Sequence, residues 1–277
     1  MYNNIYVEKK YILIYYIMSL DVLKVKKDNF KYDEKDLRLN PILPKHCFII
    51  LLVAPPKSGK SNLVGNILCN SNFYGLDYWD EIIYFSPTCD IDKTAKSFLD
   101  KMDNVTKISD HDDLKNMNNM ITTIIDEQKE TEEDKRERKL LVFDDCIGYF
   151  DKSSVLGHLA TRYRHYNISV IICSQQYKKI PLIMRNCATS IIYFNLGNKK
   201  EFEKIFDEFG RSFGENFLDI TMPALREPYS FIFINVEDQK VYSNFNKLLI
   251  DKDKEREEES AKFRQYMISK HGDKYKH

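Results

Sequence analysis

CFIILLVAPPKSGKSN, residues 47–62, decides the fold. Its first seven residues are apolar or sulfur-bearing, too few to cross a bilayer and too unbroken for a strand with one wet face. They predict a strand buried on both faces, at the centre of a parallel sheet. The continuation Ala54-Pro55-Pro56-Lys57-Ser58-Gly59-Lys60-Ser61 fits the phosphate-binding pattern G-x-x-x-x-G-K-[ST] at every defined position but the first, where Ala54 replaces glycine. A polyphosphate must be held by backbone N–H groups, so side chains cannot obstruct its approach. Gly59 leaves that approach open. Lys60 is expected to place its ammonium on the β and γ phosphates, and the Ser61 hydroxyl to ligate Mg²⁺ as a helix begins through Asn62, Leu63 and Val64. Ala54 disfavours positive φ, so the first turn is expected to be an ordinary one that Pro55 and Pro56 stiffen. Lys57 adds charge without an assigned role.

The chain of 277 residues with 43% hydrophobic content is long enough for a full core, one large domain or two small ones, of which one is preferred. Forty-two acidic and 42 basic residues cancel. With no standing field, any contact with nucleic acid is expected to be local or transient. Six cysteines occur without a C-x-x-C pair. That usage predicts reduced thiols in an intracellular setting, with neither a disulfide frame nor a zinc site.

Residues 1–17 are rich in Tyr and Ile, yet the apolar run 11–18 is far below the roughly 20 residues a membrane helix requires, and no small-residue cleavage site follows. Two readings are open: an extension upstream of a start at Met18, or an added edge strand. Residues 21–43 are charged and read as an arm leading to the first strand, with Pro41 and Pro44 at its approach.

Downstream, residues 81–87 (EIIYFSP) form a second expected strand, following the first by one helix in a crossover unit, and residues 104–108 a short third. Residues 110–128 open on cap-type residues and carry Leu114, Met117, Ile121, Ile124 and Ile125 at helical spacing. The charged run 127–139 reads as a solvated helix end or loop. Then Leu140-Leu141-Val142-Phe143-Asp144-Asp145 ends an apolar strand in two carboxylates, the Walker B pattern, at the sheet edge where phosphates bind. Asp144 is expected to hold the Mg²⁺ water shell and Asp145 to polarise the attacking water. A helix over 153–165 leads to the strand 168–173 and the amides of Gln175 and Gln176. Gln175 is the better candidate to orient water or sense the γ phosphate, beside the plain reading of a polar strand end. A strand at 189–194, a helix at 199–209 and an antiparallel pair at 229–235 and 240–243 complete a mixed sheet. The tail from Asn246 reads as an exposed charged helix.

The stretch 161–186, TRYRHYNISVIICSQQYKKIPLIMRN, resembles the poxvirus-type genome-packaging ATPases of large double-stranded DNA viruses and virophages, a branch of the FtsK/HerA superfamily. In that branch an R-H-x-x-I-S-V-I strand ends in a Ser/Thr-Gln step and leads to L-P-x-x-I-R-x-N. The matching residues are Arg164, His165, Ile168, Ser169, Val170, Ile171, Ser174, Gln175, Pro181, Arg185 and Asn186, with Ile180 and Met184 as departures. Together with the two phosphate motifs, the resemblance covers roughly residues 45 to 195 in order.

It implies an α/β P-loop NTPase of the additional-strand ATPase type, with a mostly parallel central sheet flanked by helices and an antiparallel edge near the C-terminus. It also implies an ATP- and Mg²⁺-dependent translocase that drives viral double-stranded DNA into a preformed capsid. The partners would be DNA held transiently, capsid or portal proteins and further copies in a homo-oligomeric ring. The place would be viral assembly sites in the host cytoplasm, with association with the virion a further option. Such rings complete each site with a neighbour's arginine, for which Arg164 is the first choice and Arg162 the second. Capping of carbonyls or contact with DNA phosphate are the other readings of that basic helix end. Asp145 stands where the wider superfamily commonly has Glu.

The expected domains are an arm over 1–44, an ATPase domain over 45–245 and a helical tail over 246–277. Three rival activities fit parts of the pattern. A GTPase is suggested by Asp145-Cys146-Ile147-Gly148 and by Asn198-Lys199-Lys200-Glu201, which approaches the guanine-reading N-K-x-D. A small-molecule kinase and a nucleotide-binding scaffold without turnover are the others.

Overall fold

The computed structural model describes residues 39–150 and 154–271. The expectations for the N-terminal seventeen residues and most of the arm lie outside the described residues. In chain order the elements are β1 (Ile49–Val53), α1 (Lys60–Cys69), β2 (Glu81–Phe85), α2 (Lys93–Leu99), β3 (Val105–Ile108), α3 (His111–Lys115), α4 (Met117–Glu130), β4 (Lys139–Asp144), α5 (Ser154–Arg162) and β5 (Ile168–Ser174). Then come α6 (Leu182–Asn186), β6 (Ser190–Phe194), α7 (Lys199–Glu208), α8 (Phe217–Ala224), β7 (Phe231–Asn235), β8 (Lys240–Ser243), β9 (Lys247–Asp251) and α9 (Lys252–His271).

Among the described residues one nine-stranded sheet joins all strands, in the order β3-β2-β4-β5-β1-β6-β7-β8-β9. Strands β1 to β6 pair in parallel, and β6 to β9 antiparallel. The sheet is thus mostly parallel with an antiparallel edge. Strand β5 lies between β1 and β4, the additional strand that separates the phosphate loop from the Walker B carboxylates. Consequently β2 does not pair with β1, although a single helix connects them.

Both faces of the sheet are covered, which is why β1 reads as an unbroken apolar run. Ile49, Leu51 and Val53 face one layer with Leu114, Ile121, Leu156 and Leu159. Phe48, Ile50 and Leu52 face the other with Val64, Ile67, Leu68 and Trp79. The period of two along the strand divides the core between helices on opposite sides.

Three local features depart from the sequence expectation. The helix predicted over 110–128 is two helices, broken where Asn116 closes α3 by donating its N–H to the carbonyls of α3. The apolar spacing continues through the break and so conceals it. Helices α2, α6 and α8 have no counterpart in the sequence expectation. The charged tail begins not as helix but as β9, which pairs with β8 through an irregularity at Val241 and Tyr242 and buries Ile250. An edge strand with one buried residue carries little alternation to read. No helix among the described residues is long and apolar enough to cross a membrane.

Candidate active site

In the parallel register Leu52 and Asp144 both lie opposite Cys173, and Val53 opposite Ser174, so three strands finish at one edge of the sheet. Backbone bonds fix the first residue beyond two of them. Ala54 N–H donates to the Ser174 carbonyl at 2.9 Å, and Asp145 N–H to the Cys173 carbonyl at 3.2 Å. Asp145 takes φ 54°, a left-handed conformation that aspartate tolerates better than most side chains. It turns the chain just as the strand ends.

The loop after β1 closes on itself: the Ser58 hydroxyl donates to the Pro55 carbonyl at 2.7 Å. Lys57 (φ 65°) and Gly59 (φ 99°) are left-handed, whereas Ala54 is not, in keeping with an ordinary first turn. Gly59 stands at the N-cap of α1 with no side-chain cap and no acidic residue in the first turn. The opening N–H groups of a ten-residue helix, with their share of the helix dipole, therefore face the loop without a carboxylate to satisfy them. That is the arrangement that binds phosphate.

Lys60 joins the loop to the Walker B strand. Its Nζ lies 2.6 Å from Asp144 Oδ1 and also bonds Asp145 Oδ2. Burial works against the ammonium's charge, but the Asp144 and Asp145 carboxylates outweigh it and hold the lysine above its usual range. Asp144 is only 4% exposed and accepts a second bond from the Tyr84 hydroxyl, at 2.9 Å. Burial, then Asp144, pushes the Tyr84 phenol well up, so it stays a donor. Gln175 Nε2 donates to Asp145 Oδ2 at 3.3 Å. The Ser61 hydroxyl donates to Asp92 Oδ2 at 2.8 Å, and the other Asp92 oxygen caps α2 through the Thr94 and Ala95 N–H groups. Burial would raise the Asp92 carboxyl, but those donors together lower it. Over these groups opens a cavity of about 390 Å³ reached by Lys57, Lys60, Ser61, Asp92, Asp145 and Gln175.

The structure thus brings together Ala54 to Asn62, Asp144, Asp145 and Gln175. It does not bring Arg162 or Arg164 to them. Both precede β5 and so lie at the opposite sheet edge, roughly 20 Å away at about 3.3 Å per residue. Arg164 pairs there with Glu237 and with the Tyr163 hydroxyl, the latter at 2.9 Å. Within one chain neither arginine reaches the phosphate loop. Tyr84 and Asp92 were missed by the sequence reading. Asp92 carries only the signal of a helix cap, and Tyr84 is one aromatic in an apolar strand.

The residues that suggested a guanine site are otherwise engaged. Asn198 caps α7 by accepting from Lys200 N–H at 3.0 Å, and Glu201 accepts from Lys178 N–H at 3.3 Å. Among the described residues, no cluster of three His, Cys, Asp or Glu side chains could hold a metal unaided. The oxygen donors Ser61, Asp144 and Asp92 suit Mg²⁺, which characteristically takes one or two carboxylates and completes its shell with substrate phosphates and water.

The model of the family described as Poxvirus A32 protein matches residues 41–212, more than half of the chain and both phosphate motifs. The chain belongs to the poxvirus A32 protein family. It is an ATPase of the viral genome-packaging class. Its fold matches the genome packaging NTPase B204 of Sulfolobus turreted icosahedral virus 2, solved with AMPPCP, at 17% identity and a TM-score of 0.52, covering 72% of this chain and 98% of that one. It also matches B204, the DNA-packaging ATPase of Sulfolobus turreted icosahedral virus, at 16% identity and a TM-score of 0.52, covering 71% and 96%. No curated protein sequence matches the chain. The A32 match ends before α8, so the antiparallel strands β7 to β9 lie beyond it.

Proposed function

We propose that this A32-family chain hydrolyses ATP through Lys60, Asp145 and Gln175, and that a homo-oligomeric ring of it uses the energy to move double-stranded DNA into a preformed capsid. The observation that carries this reading is the convergence of Lys60, Asp144, Asp145 and Gln175 on the uncapped start of α1. A triphosphate there offers the Lys60 ammonium a second set of anionic oxygens, and its transfer toward them frees Asp145. Gln175 orients a water and Asp145 accepts its proton as the water oxygen attacks the γ phosphorus. The bond to the β–γ bridging oxygen breaks, giving ADP and phosphate. Lys60 and the α1 N–H groups stabilise the charge that develops on the phosphates. Ser61 and Asp144 would hold Mg²⁺ with the help of Asp92; bound there, it neutralises charge across the β and γ phosphates.

The arginine that completes the site comes from a neighbouring subunit, with Arg164 the first candidate and Arg162 the second. Both stand too far from their own phosphate loop to act in cis. Balanced net charge suits a transient, sequence-independent grip on DNA. Capsid or portal proteins are the docking partners, at viral assembly sites in the host cytoplasm. The test is ATPase rate with and without double-stranded DNA, together with the mass of the assembly. A ring stimulated by DNA supports translocation; a monomer indifferent to DNA supports a kinase or a scaffold instead. Mixing Arg164→Ala with Lys60→Ala subunits restores activity if the arginine acts across the interface, where such a group is worth about 10³ to 10⁵ in rate.

A further inference from the structure

A second cavity, also about 390 Å³, adjoins the phosphate cavity and shares Gly59, Asn62 and Tyr229 with it. Its character is different. Phe73, Phe194, Phe231 and Phe245 supply most of the apolar wall, and their rings touch one another at centroid distances of 5.0 to 5.5 Å. Its volume falls in the range of about 300 to 1,000 Å³ usual for small-ligand sites. The strand directions explain the juxtaposition. The end of β6, the start of β7 and the end of β8 all lie at the edge that carries the phosphate loop.

Tyr229 connects the two cavities. It is 71% exposed, yet it is held at φ 63° with its ring close enough to Gly59 that a Cβ there would lie 3.3 Å from it. A bulky residue rarely adopts positive φ, and the surrounding structure must fix it. Here the Ser230 N–H and hydroxyl both return to the Glu227 carbonyl, at 3.2 and 2.7 Å, closing the turn that presents the ring. Asn244, also left-handed, uses its carbonyl to accept from Phe231 N–H at 2.9 Å, which leaves its amide N–H groups to donate.

A nucleoside triphosphate anchored at the start of α1 must direct its base to one side of the loop. The groove beside Tyr229 is aromatic, continuous with the phosphate cavity and furnished with an amide donor. We propose that it holds the purine base of the bound nucleotide, with Tyr229 stacked on the ring and Asn244 donating to a ring nitrogen. Purines present acceptor nitrogens at both edges, which suits a donor. This rests on the assignment of the phosphate cradle above.

The test is calorimetric binding of ATP and of inorganic tripolyphosphate, which has no base, to the full chain and to Tyr229→Ala, Tyr229→Phe and Lys60→Ala. Tyr229→Ala is expected to weaken ATP binding about tenfold, the order of one aromatic stack on a base, and to leave tripolyphosphate affinity unchanged. Tyr229→Phe is expected to bind both like the unaltered chain. Equal weakening of both ligands by Tyr229→Ala would mean that the ring only props Gly59, and unchanged binding of both that it touches no base; either overturns the proposal. Should Lys60→Ala leave both ligands bound as before, the cradle assignment itself fails and the base site with it.

Discussion

The two edges of the sheet are built from similar residues that do different work. At the edge of the phosphate loop, charged groups share partners: Lys60 serves Asp144 and Asp145, Asp145 also accepts from Gln175, and Asp144 from Tyr84. At the opposite edge Lys139 pairs with both Glu81 and Glu137 and Arg164 with Glu237, but several buried or half-buried polar side chains end on backbone carbonyls. Gln128 donates to the carbonyls of Glu137 and Tyr166, both at 2.8 Å, and Asn167 to those of Arg136 and Glu137, both at 3.0 Å. His46 pairs through Nδ1 with the Ser169 hydroxyl at 2.7 Å. A backbone carbonyl has no alternative protonation state and nowhere to go, so such bonds hold strands and helices together. At the loop edge the carboxylates that compete for one ammonium also lie beside an uncapped helix start, so an arriving phosphate can repartition them.

The contrast can be broken by mutation. Asp145→Asn should be the most damaging to turnover, a loss of about 10² to 10⁴ for a removed general base, with ATP still bound; steady-state rates beside nucleotide binding check it, and persisting turnover would remove Asp145 from the chemistry. Lys60→Ala should lose about 10² to 10³ in kcat and weaken ATP binding as well, since it removes a cation from the transition state and from the ground state. Tyr84→Phe should lower kcat about tenfold by taking one donor from Asp144, worth about 1.5 kcal/mol. Gln128→Ala, at the other edge, should cost about 2 kcal/mol in denaturant unfolding and leave turnover per folded molecule unchanged. A loss of kcat there would dissolve the distinction between the edges.

The smallest effect sharpens it. The folded structure depresses the Asp92 carboxyl, so its ionised form adds stability at neutral pH that is lost as pH falls through the carboxylate range. Asp92→Asn should therefore show a shallower fall of melting temperature between about pH 5 and 3.

How much could be read in the chain depends on how local each signal is. The strand, loop and helix at 47–62 form one continuous stretch, and the apolar run ending in Asp144 and Asp145 is equally self-contained. Gln175 was legible because it ends a buried strand. Asp92 and Tyr84 were not, because a helix cap and a strand aromatic acquire meaning only when Ser61 and Asp144 are folded against them. The break at Asn116 and the strand β9 were hidden for a related reason: one preserves the helical spacing, and the other buries a single side chain.

By itself the sequence determined the parallel α/β core, the phosphate loop and the Walker B acids, since each is specified by residues adjacent in the chain. The strand inserted between β1 and β4 was implied by the resemblance, but only the tertiary structure decided that Arg164 stands at the edge away from its own loop and that Tyr229 lies against Gly59. Those relations depend on strand order and direction, which long-range packing selects and no short pattern encodes.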